Sequence, residues 1–144
     1  MATVEEMVSR AASQIGNGGS IYNSWYWGSD MGYAWCAAFQ SWCADQIGGL
    51  GFKSAAVSGI FSQLPQVADA DVQRGDLVCF NWDGRSDTSW MDHVGLVEWF
   101  DHSTGYFGTI EGNTGNQAGG LSSASPLQLH QLFTAFCRPN YDQG

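Results

Sequence analysis

Cys36, His93 and Glu111 follow one another along this chain in the order and setting that thiol chemistry needs. A thiolate nucleophile requires an imidazole that takes its proton and later passes it to a leaving amine, and the imidazole requires an acceptor that orients it. Cys36 opens an apolar segment of helical spacing, where unpaired first-turn amides and the positive end of the helix dipole favour a thiolate. Cys43, Cys79 and Cys137 lie within apolar patterns and read as small core residues. Any one cysteine taken alone reads that way, so Cys36 stands out through its partners. His93 opens a strand after a long loop, and Gly95, two residues on, shares its face and leaves the imidazole uncrowded. His102 falls in the turn Asp101-His-Ser-Thr-Gly and is expected to be solvated, while His130 in Leu127-Gln-Leu-His-Gln-Leu is an ordinary polar position. Glu111 and Asn113 close the next strand at same-face spacing, each within reach of one imidazole from an adjacent antiparallel strand. By itself Glu111-Gly-Asn-Thr-Gly-Asn is a turn-forming run. The joint order of cysteine on a helix, then histidine and acid on successive strands, is what points to catalysis.

The elements that must hold these groups can be read from periodicity. Thr3 and Glu6 form a capping-box pattern ahead of Val4, Met7, Val8, Ala11, Ala12 and Ile15, one face of a helix ending near Gly16. Residues 16–34 have loop composition, with Tyr22, Trp25, Tyr26, Trp27 and Tyr33 far richer in aromatic surface than a loop requires. Those rings either meet a ligand or fold back on the core. Trp35, Ala38, Phe39, Trp42, Cys43 and Ile47 predict a buried helix stopped by Gly48-Gly49, and Ser54 to Leu64 a short third helix closed by Pro65. Strands follow over 76–82, 93–100, 106–111 and 132–138, with a hairpin turn over 101–105. Helices first and strands joined by short links afterwards imply an α+β domain, its N-terminal helices packed on a C-terminal antiparallel sheet.

Composition narrows the partners. The chain has 144 residues, 44% hydrophobic and 13% charged, which suits one compact domain with a real core. A formal charge of −9 with five Lys and Arg residues excludes nucleic acid, whose phosphates would be repelled. It also gives no attraction to an anionic wall, so a wall-active enzyme of this composition would need a separate targeting module. Glycines and polar residues interrupt every apolar stretch short of the roughly 20 residues that span a bilayer, and Met1-Ala-Thr-Val-Glu-Glu does not resemble a secretory signal. Free thiols are therefore expected. Cys36 and Cys43 on one helix would stand roughly 10 Å apart, too far for a disulfide. No C-x-x-C or H-x-x-x-H spacing supports zinc.

Four stretches together, Trp35-Cys-Ala-Ala-Phe-Gln-Ser-Trp-Cys-Ala, Gly75-Asp-Leu-Val-Cys-Phe-Asn-Trp-Asp-Gly, Asp92-His-Val-Gly-Leu-Val-Glu and Thr109-Ile-Glu-Gly-Asn-Thr, resemble the CHAP family of cysteine- and histidine-dependent amidohydrolases/peptidases. The resemblance covers nearly the whole chain. It implies a papain-like fold and hydrolysis of amide bonds in bacterial peptidoglycan, as in phage endolysins and bacterial autolysins. By motif, Cys36 would be the nucleophile, His93 the general base and acid and Glu111 its orienting group, with Asn113 completing the polar set; Trp25, Tyr26, Trp27, Trp35, Trp90 and Asp92 would contact substrate. It further implies residues 1–144 as one catalytic domain of a longer endolysin with its own wall-binding module, made in the cytoplasm of a phage-infected bacterium, acting on the wall as a monomer without a membrane partner. Some relatives bind calcium before the nucleophile, but Trp27-Gly-Ser-Asp-Met-Gly-Tyr offers one carboxylate. The loop Asp83-Gly-Arg-Ser-Asp-Thr-Ser-Trp-Met-Asp has three, with Arg85 where related loops often carry another acid. No cofactor is expected, with calcium left open as the alternative.

Two other classes share some of these features. A non-catalytic wall-binding module would explain the tryptophans but not the order of Cys36, His93 and Glu111. A papain-like protease or transferase toxin would use the same dyad on a protein acyl donor. Amidase and endopeptidase cleavage are equally open at this level.

Overall fold

The computed structural model of the chain describes residues 2–81, 93–112, 122–123, 127–128 and 133–142. Helix α1 (Val4–Ser13) begins with the expected capping box: Thr3 Oγ1 accepts from the Glu6 amide at 3.2 Å, and Glu6 Oε1 accepts from the Thr3 amide at 3.0 Å. Two first-turn donors are thereby satisfied, and Met7, Val8 and Ala11 turn into the core.

The stretch expected to be loop contains a helix, α2 (Ser20–Trp27), which ends at Gly28 in the left-handed conformation, φ 85°. Serine and asparagine are weak helix formers, so tertiary packing supplies the stability that propensity does not. Tyr22 is fully buried, its ring stacked 5.1 Å from Trp35 and edge-on to Phe39 and Trp42. Asn23 accepts from the Tyr33 amide at 3.0 Å and donates to the Tyr33 carbonyl at 3.2 Å. The side-chain amide thus pairs with the returning loop as a neighbouring peptide would.

Helix α3 (Cys36–Gln46) has eight of its eleven residues buried, so it runs through the middle of the helical layer rather than along its surface. Gly48 and Gly49 turn the chain with φ of 107° and 88°, and the Gly49 amide caps the Ala44 carbonyl at 2.7 Å. Helix α4 (Val57–Gln63) starts three residues later than the sequence pattern suggests. Ser54 is instead tied to α3, donating its amide to Ser41 Oγ at 3.0 Å and accepting from that hydroxyl through its carbonyl at 2.8 Å.

The strands are β1 (Gln66–Val67), β2 (Leu77–Asn81), β3 (His93–Asp101), β4 (Tyr106–Glu111), β5 (Ser122–Ser123), β6 (Leu127–Gln128) and β7 (Phe133–Cys137), with a 3₁₀ turn at Asp69–Asp71. All recorded pairings are antiparallel, in the order β1-β7-β2-β3-β4-β5 with β6 also on β4. The four expected strands are β2, β3, β4 and β7. The two-residue strands β1, β5 and β6 are too short to show a period. One sheet face meets the helices through Leu77, Cys79, Val94, Leu96, Ile110 and Cys137; the other gathers Val72, Val78, Phe80, Val97, Phe107 and Phe136. The domain is therefore α+β, with helices on an antiparallel sheet. Among the described residues no helix is long and apolar enough to cross a membrane.

The start of β2 is locked by charge. Asp76 is 1% exposed and accepts from Arg138 Nε at 2.7 Å and Nη2 at 3.0 Å and from the Gln73 amide at 2.9 Å. Removing the carboxylate strands a partly buried guanidinium and an amide. Asp76→Ala is expected to destabilise the fold by about 3 kcal/mol, measured as the shift in urea midpoint at constant slope; an unchanged midpoint would show that Arg138 returns to solvent without cost.

Candidate active site

Strands β3 and β4 place the imidazole and the carboxylate. His93 begins β3 opposite Phe80, whose ring centroid lies 5.8 Å from that of the imidazole. Leu96 pairs with Ile110, so one step further along the ladder Glu111 stands opposite Gly95 and diagonal to His93. A Cβ at Gly95 would lie 2.7 Å from Glu111 Cγ and 3.1 Å from its Oε2. The acid therefore crosses the strand over a glycine, and its Oε1 reaches His93 Nε2 at 2.7 Å. The space at Gly95 was expected to serve the imidazole; the structure gives it to Glu111. Both side chains are nearly enclosed, with 7% and 6% of their surface exposed.

Thr109 was not singled out by the sequence. It is fully buried, shares a face of β4 with Glu111, and its hydroxyl donates to Glu111 Oε2. The signal that could have found it is the same spacing of two that marked Asn113, applied in the other direction along the strand.

Helix α3 brings the thiol. Cys36 is its first residue and 5% exposed, and Trp35 before it supplies no side-chain cap to the first-turn amides. Cys36 neighbours His93 closely enough to act on its titration. With Nε2 on Glu111, the ring nitrogen that remains for the thiol is Nδ1. Burial alone would lower the His93 pKa; the interactions with Cys36 and Glu111, and the charges behind them, outweigh it and raise His93 to about 9. Two contacts press α3 against β4. Gln40, one turn beyond Cys36, donates through Nε2 to the Ile110 carbonyl at 3.2 Å. Trp35 and Phe39 lie so close to Gly112 that a Cβ there would stand 2.7 Å from Trp35 Cζ3 and 3.1 Å from Phe39 Cβ.

The same contacts account for Trp35. Expected to meet substrate, it is 4% exposed, with its ring committed to Tyr22, Phe39 and Gly112, and it packs the core. Trp25, Tyr26 and Trp27 are half-buried and edge-on to one another, with centroids 6.0 and 4.9 Å apart, and the Lys53 ammonium sits 4.9 Å from the Trp25 ring. Asn113, Trp90 and Asp92 lie outside the described residues, as does the loop over 83–92. Asp30, the carboxylate of the Trp27–Tyr33 stretch, accepts from Ser20 Oγ at 2.8 Å and the Gly32 amide at 3.3 Å. Among the described residues no three His, Cys, Asp or Glu side chains converge as a metal site would require.

The other thiols differ in kind. All four cysteines are free and buried. Burial pushes the Cys43 thiol up, and the hydrogen bond with Cys137, together with burial, does the same for Cys79, so both stay protonated at neutral pH. His102 is exposed as expected, but anchored: its Nε2 lies 2.6 Å from the Val72 carbonyl and its ring 4.4 Å from that of Phe100.

Fold and site define a papain-like α+β domain in which thiol, imidazole and carboxylate converge where a helix start meets the sheet. Residues 27–113, more than half of the chain, match the CHAP domain, and the chain belongs to that family. Among solved structures it is similar to the wild type endolysin LysIME-EF1, at 14% identity and TM-score 0.64, over 99% of this chain and 66% of that one. It is also similar to a mutant of the Resuscitation Promoting Factor Interacting protein RipA, at 15% identity and TM-score 0.63, over 96% of this chain and 63% of the other. A third is the peptidoglycan hydrolase RipB from Mycobacterium tuberculosis, at 18% identity and TM-score 0.60, over 94% of this chain and 63% of the other. The chain thus spans somewhat under two thirds, to about two thirds, of the length of these structures. Comparison with curated protein sequences finds no match.

The contact at Gly95 is testable apart from any activity. Gly95→Ala puts a methyl group 2.7 Å from Glu111 Cγ and should displace the carboxylate from His93. NMR titration of the imidazole is expected to show its pKa fall from about 9 toward the ordinary value of 6.5; a titration still centred near 9 would mean that Glu111 does not depend on the glycine.

Proposed function

We propose that this domain hydrolyses amide bonds in the stem peptides of bacterial peptidoglycan, as an N-acetylmuramoyl-L-alanine amidase or an endopeptidase, through an acyl-enzyme on Cys36. The observation that carries the reading is a single nearly enclosed imidazole held at 2.7 Å by Glu111 and raised in pKa by the neighbouring Cys36. Membership of the CHAP family and the shared fold of an endolysin and a peptidoglycan hydrolase support the substrate class.

The geometry supports the following steps. Cys36 sulfur, as thiolate, attacks the scissile carbonyl, and the tetrahedral oxyanion is met by the backbone N–H of Cys36 at the start of α3. His93, carrying the proton on Nδ1, delivers it to the leaving amine, the C–N bond breaks and the acyl-enzyme remains. Water then gives its proton to the neutral ring as its oxygen attacks the thioester, the acid product departs and the thiolate–imidazolium pair is restored. Glu111 accepts from Nε2–H throughout and steadies the imidazolium. No metal ion takes part in these steps. Contact with the stem peptide is assigned to Trp25, Tyr26 and Trp27, together with Trp90 and Asp92, and a polar role in the same chemistry to Asn113. The domain works as a monomer, and a wall-binding module attached to it raises its rate on intact cells.

Cys36→Ala and His93→Ala are each expected to abolish release of fragments from purified peptidoglycan while the domain stays folded. Cys43→Ala should lose about 1 kcal/mol of stability and keep its activity; a folded but inactive Cys43→Ala would place the nucleophile elsewhere. Masses of the released fragments separate the two bond classes: intact stem peptides freed from muramic acid mark an amidase, shortened stems or cleaved bridges an endopeptidase.

A pH dependence follows from the imidazole. Its pKa lies near 9 in the folded domain against 6.5 for a free ring. The ion pair is therefore intact at neutral pH and is lost as pH rises through about 9, where turnover should fall because no proton remains for the leaving amine. The same pair contributes stability fully below pH 6.5 and loses it over that interval. Glu111→Gln should move the alkaline limb of turnover to lower pH; an unmoved limb would remove Glu111 from the relay.

A further inference from the structure

We propose that Thr109 is a positioning residue of this site, its hydroxyl fixing the rotation of the Glu111 carboxylate and, through it, the nitrogen on which His93 keeps its proton. The proposal rests on the hydrolytic reading above. The terminal torsion of a glutamate is broad and roughly twofold, so strand geometry alone does not decide which oxygen meets the ring or at what angle. Among the described residues, three neighbours bear on it. Gly95 leaves clear the space that Glu111 crosses, His93 Nε2 meets Oε1 at 2.7 Å, and Thr109 holds Oε2 by its hydroxyl.

Thr109 is suited to this. It stands two residues before Glu111 on the same strand, is fully buried and, being β-branched, has little freedom about χ1. Its hydroxyl has no bulk water to turn to. An ionised carboxylate only accepts, so Thr109 donates to Oε2 and His93 donates Nε2–H to Oε1. The consequence falls in the second half of the reaction. Once the leaving amine has taken the Nδ1 proton, the ring is neutral and must hold its one remaining proton on Nε2, because Nδ1 has to accept from the attacking water. Without the hydroxyl the carboxylate can swing out of line with the ring, its hold on Nε2–H weakens, and a fraction of the neutral rings carries the proton on the wrong nitrogen.

Thr109→Val removes the hydroxyl and keeps the shape; Thr109→Ser keeps the hydroxyl. On purified peptidoglycan Thr109→Val is expected to lower kcat at least tenfold with KM little changed, and Thr109→Ser to recover most of the loss. The ring ¹⁵N shifts of His93 at alkaline pH, where the ring is neutral, should go from one Nε2–H tautomer in the parent to a mixture in Thr109→Val. An unchanged kcat together with unchanged ring shifts in Thr109→Val would overturn the proposal, as would a Thr109→Ser variant as slow as Thr109→Val. If Thr109→Val does not fold, Thr109→Ser and Thr109→Ala carry the comparison, and equal kcat in the two overturns it. Failure of the hydrolytic reading looks different: the parent itself releases no fragments, while the tautomer shift on Thr109→Val persists.

Discussion

The structure turns on one close approach, that of the first turn of α3 to the end of β4. A nearly enclosed imidazole can join a thiol on a helix and a carboxylate on a strand only if the two backbones come within side-chain reach of the same ring. Gly112 permits it, because a larger residue there would collide with Trp35 and Phe39. Gln40 holds it, binding the Ile110 carbonyl next to Glu111. That strut has a cost. Gln40 is fully buried and its Oε1 meets no hydrogen-bond partner among the described residues, an arrangement that opposes folding by about 1–3 kcal/mol where it stays unsatisfied. The fold accepts the loss where helix and strand must stay in register.

Much of the remaining architecture supports that junction from behind. Tyr22 on α2 stacks on Trp35, and Asn23 pins the loop that leads back into α3. The aromatic residues ahead of Cys36 therefore divide. Tyr22 and Trp35 are structural, while Trp25, Tyr26 and Trp27 keep part of their surface outward. On the sheet side, Phe80 flanks His93, and the Asp76–Arg138 pair secures the start of the strand that carries Phe80.

The electrostatics of the site follow from enclosure. In water, a carboxylate, an imidazole and a thiol would interact weakly, but with exposure near 7% and 6% the pairing of His93 and Glu111 is felt strongly enough to overcome the penalty that burial sets on an imidazolium. The chain as a whole carries −9, and the central cation of the site is the one that its own sulfur and carboxylate hold in place.

What the sequence alone determined was local and periodic. The capping box at Thr3, the buried run from Trp35, the Gly48-Gly49 stop and the four longer strands all depend on neighbours within a few residues, so pattern sufficed to place them. The order of Cys36, His93 and Glu111 on those elements was legible for the same reason. Only the tertiary structure decided that Ser20–Trp27 is a helix, because its stability comes from Tyr22 meeting rings far along the chain. It also decided that Trp35 is core, that the gap at Gly95 belongs to Glu111, and that Thr109 and Gln40 stand behind the site. Each depends on register across strands or on the distance between a helix and a sheet, and a one-dimensional spacing carries neither.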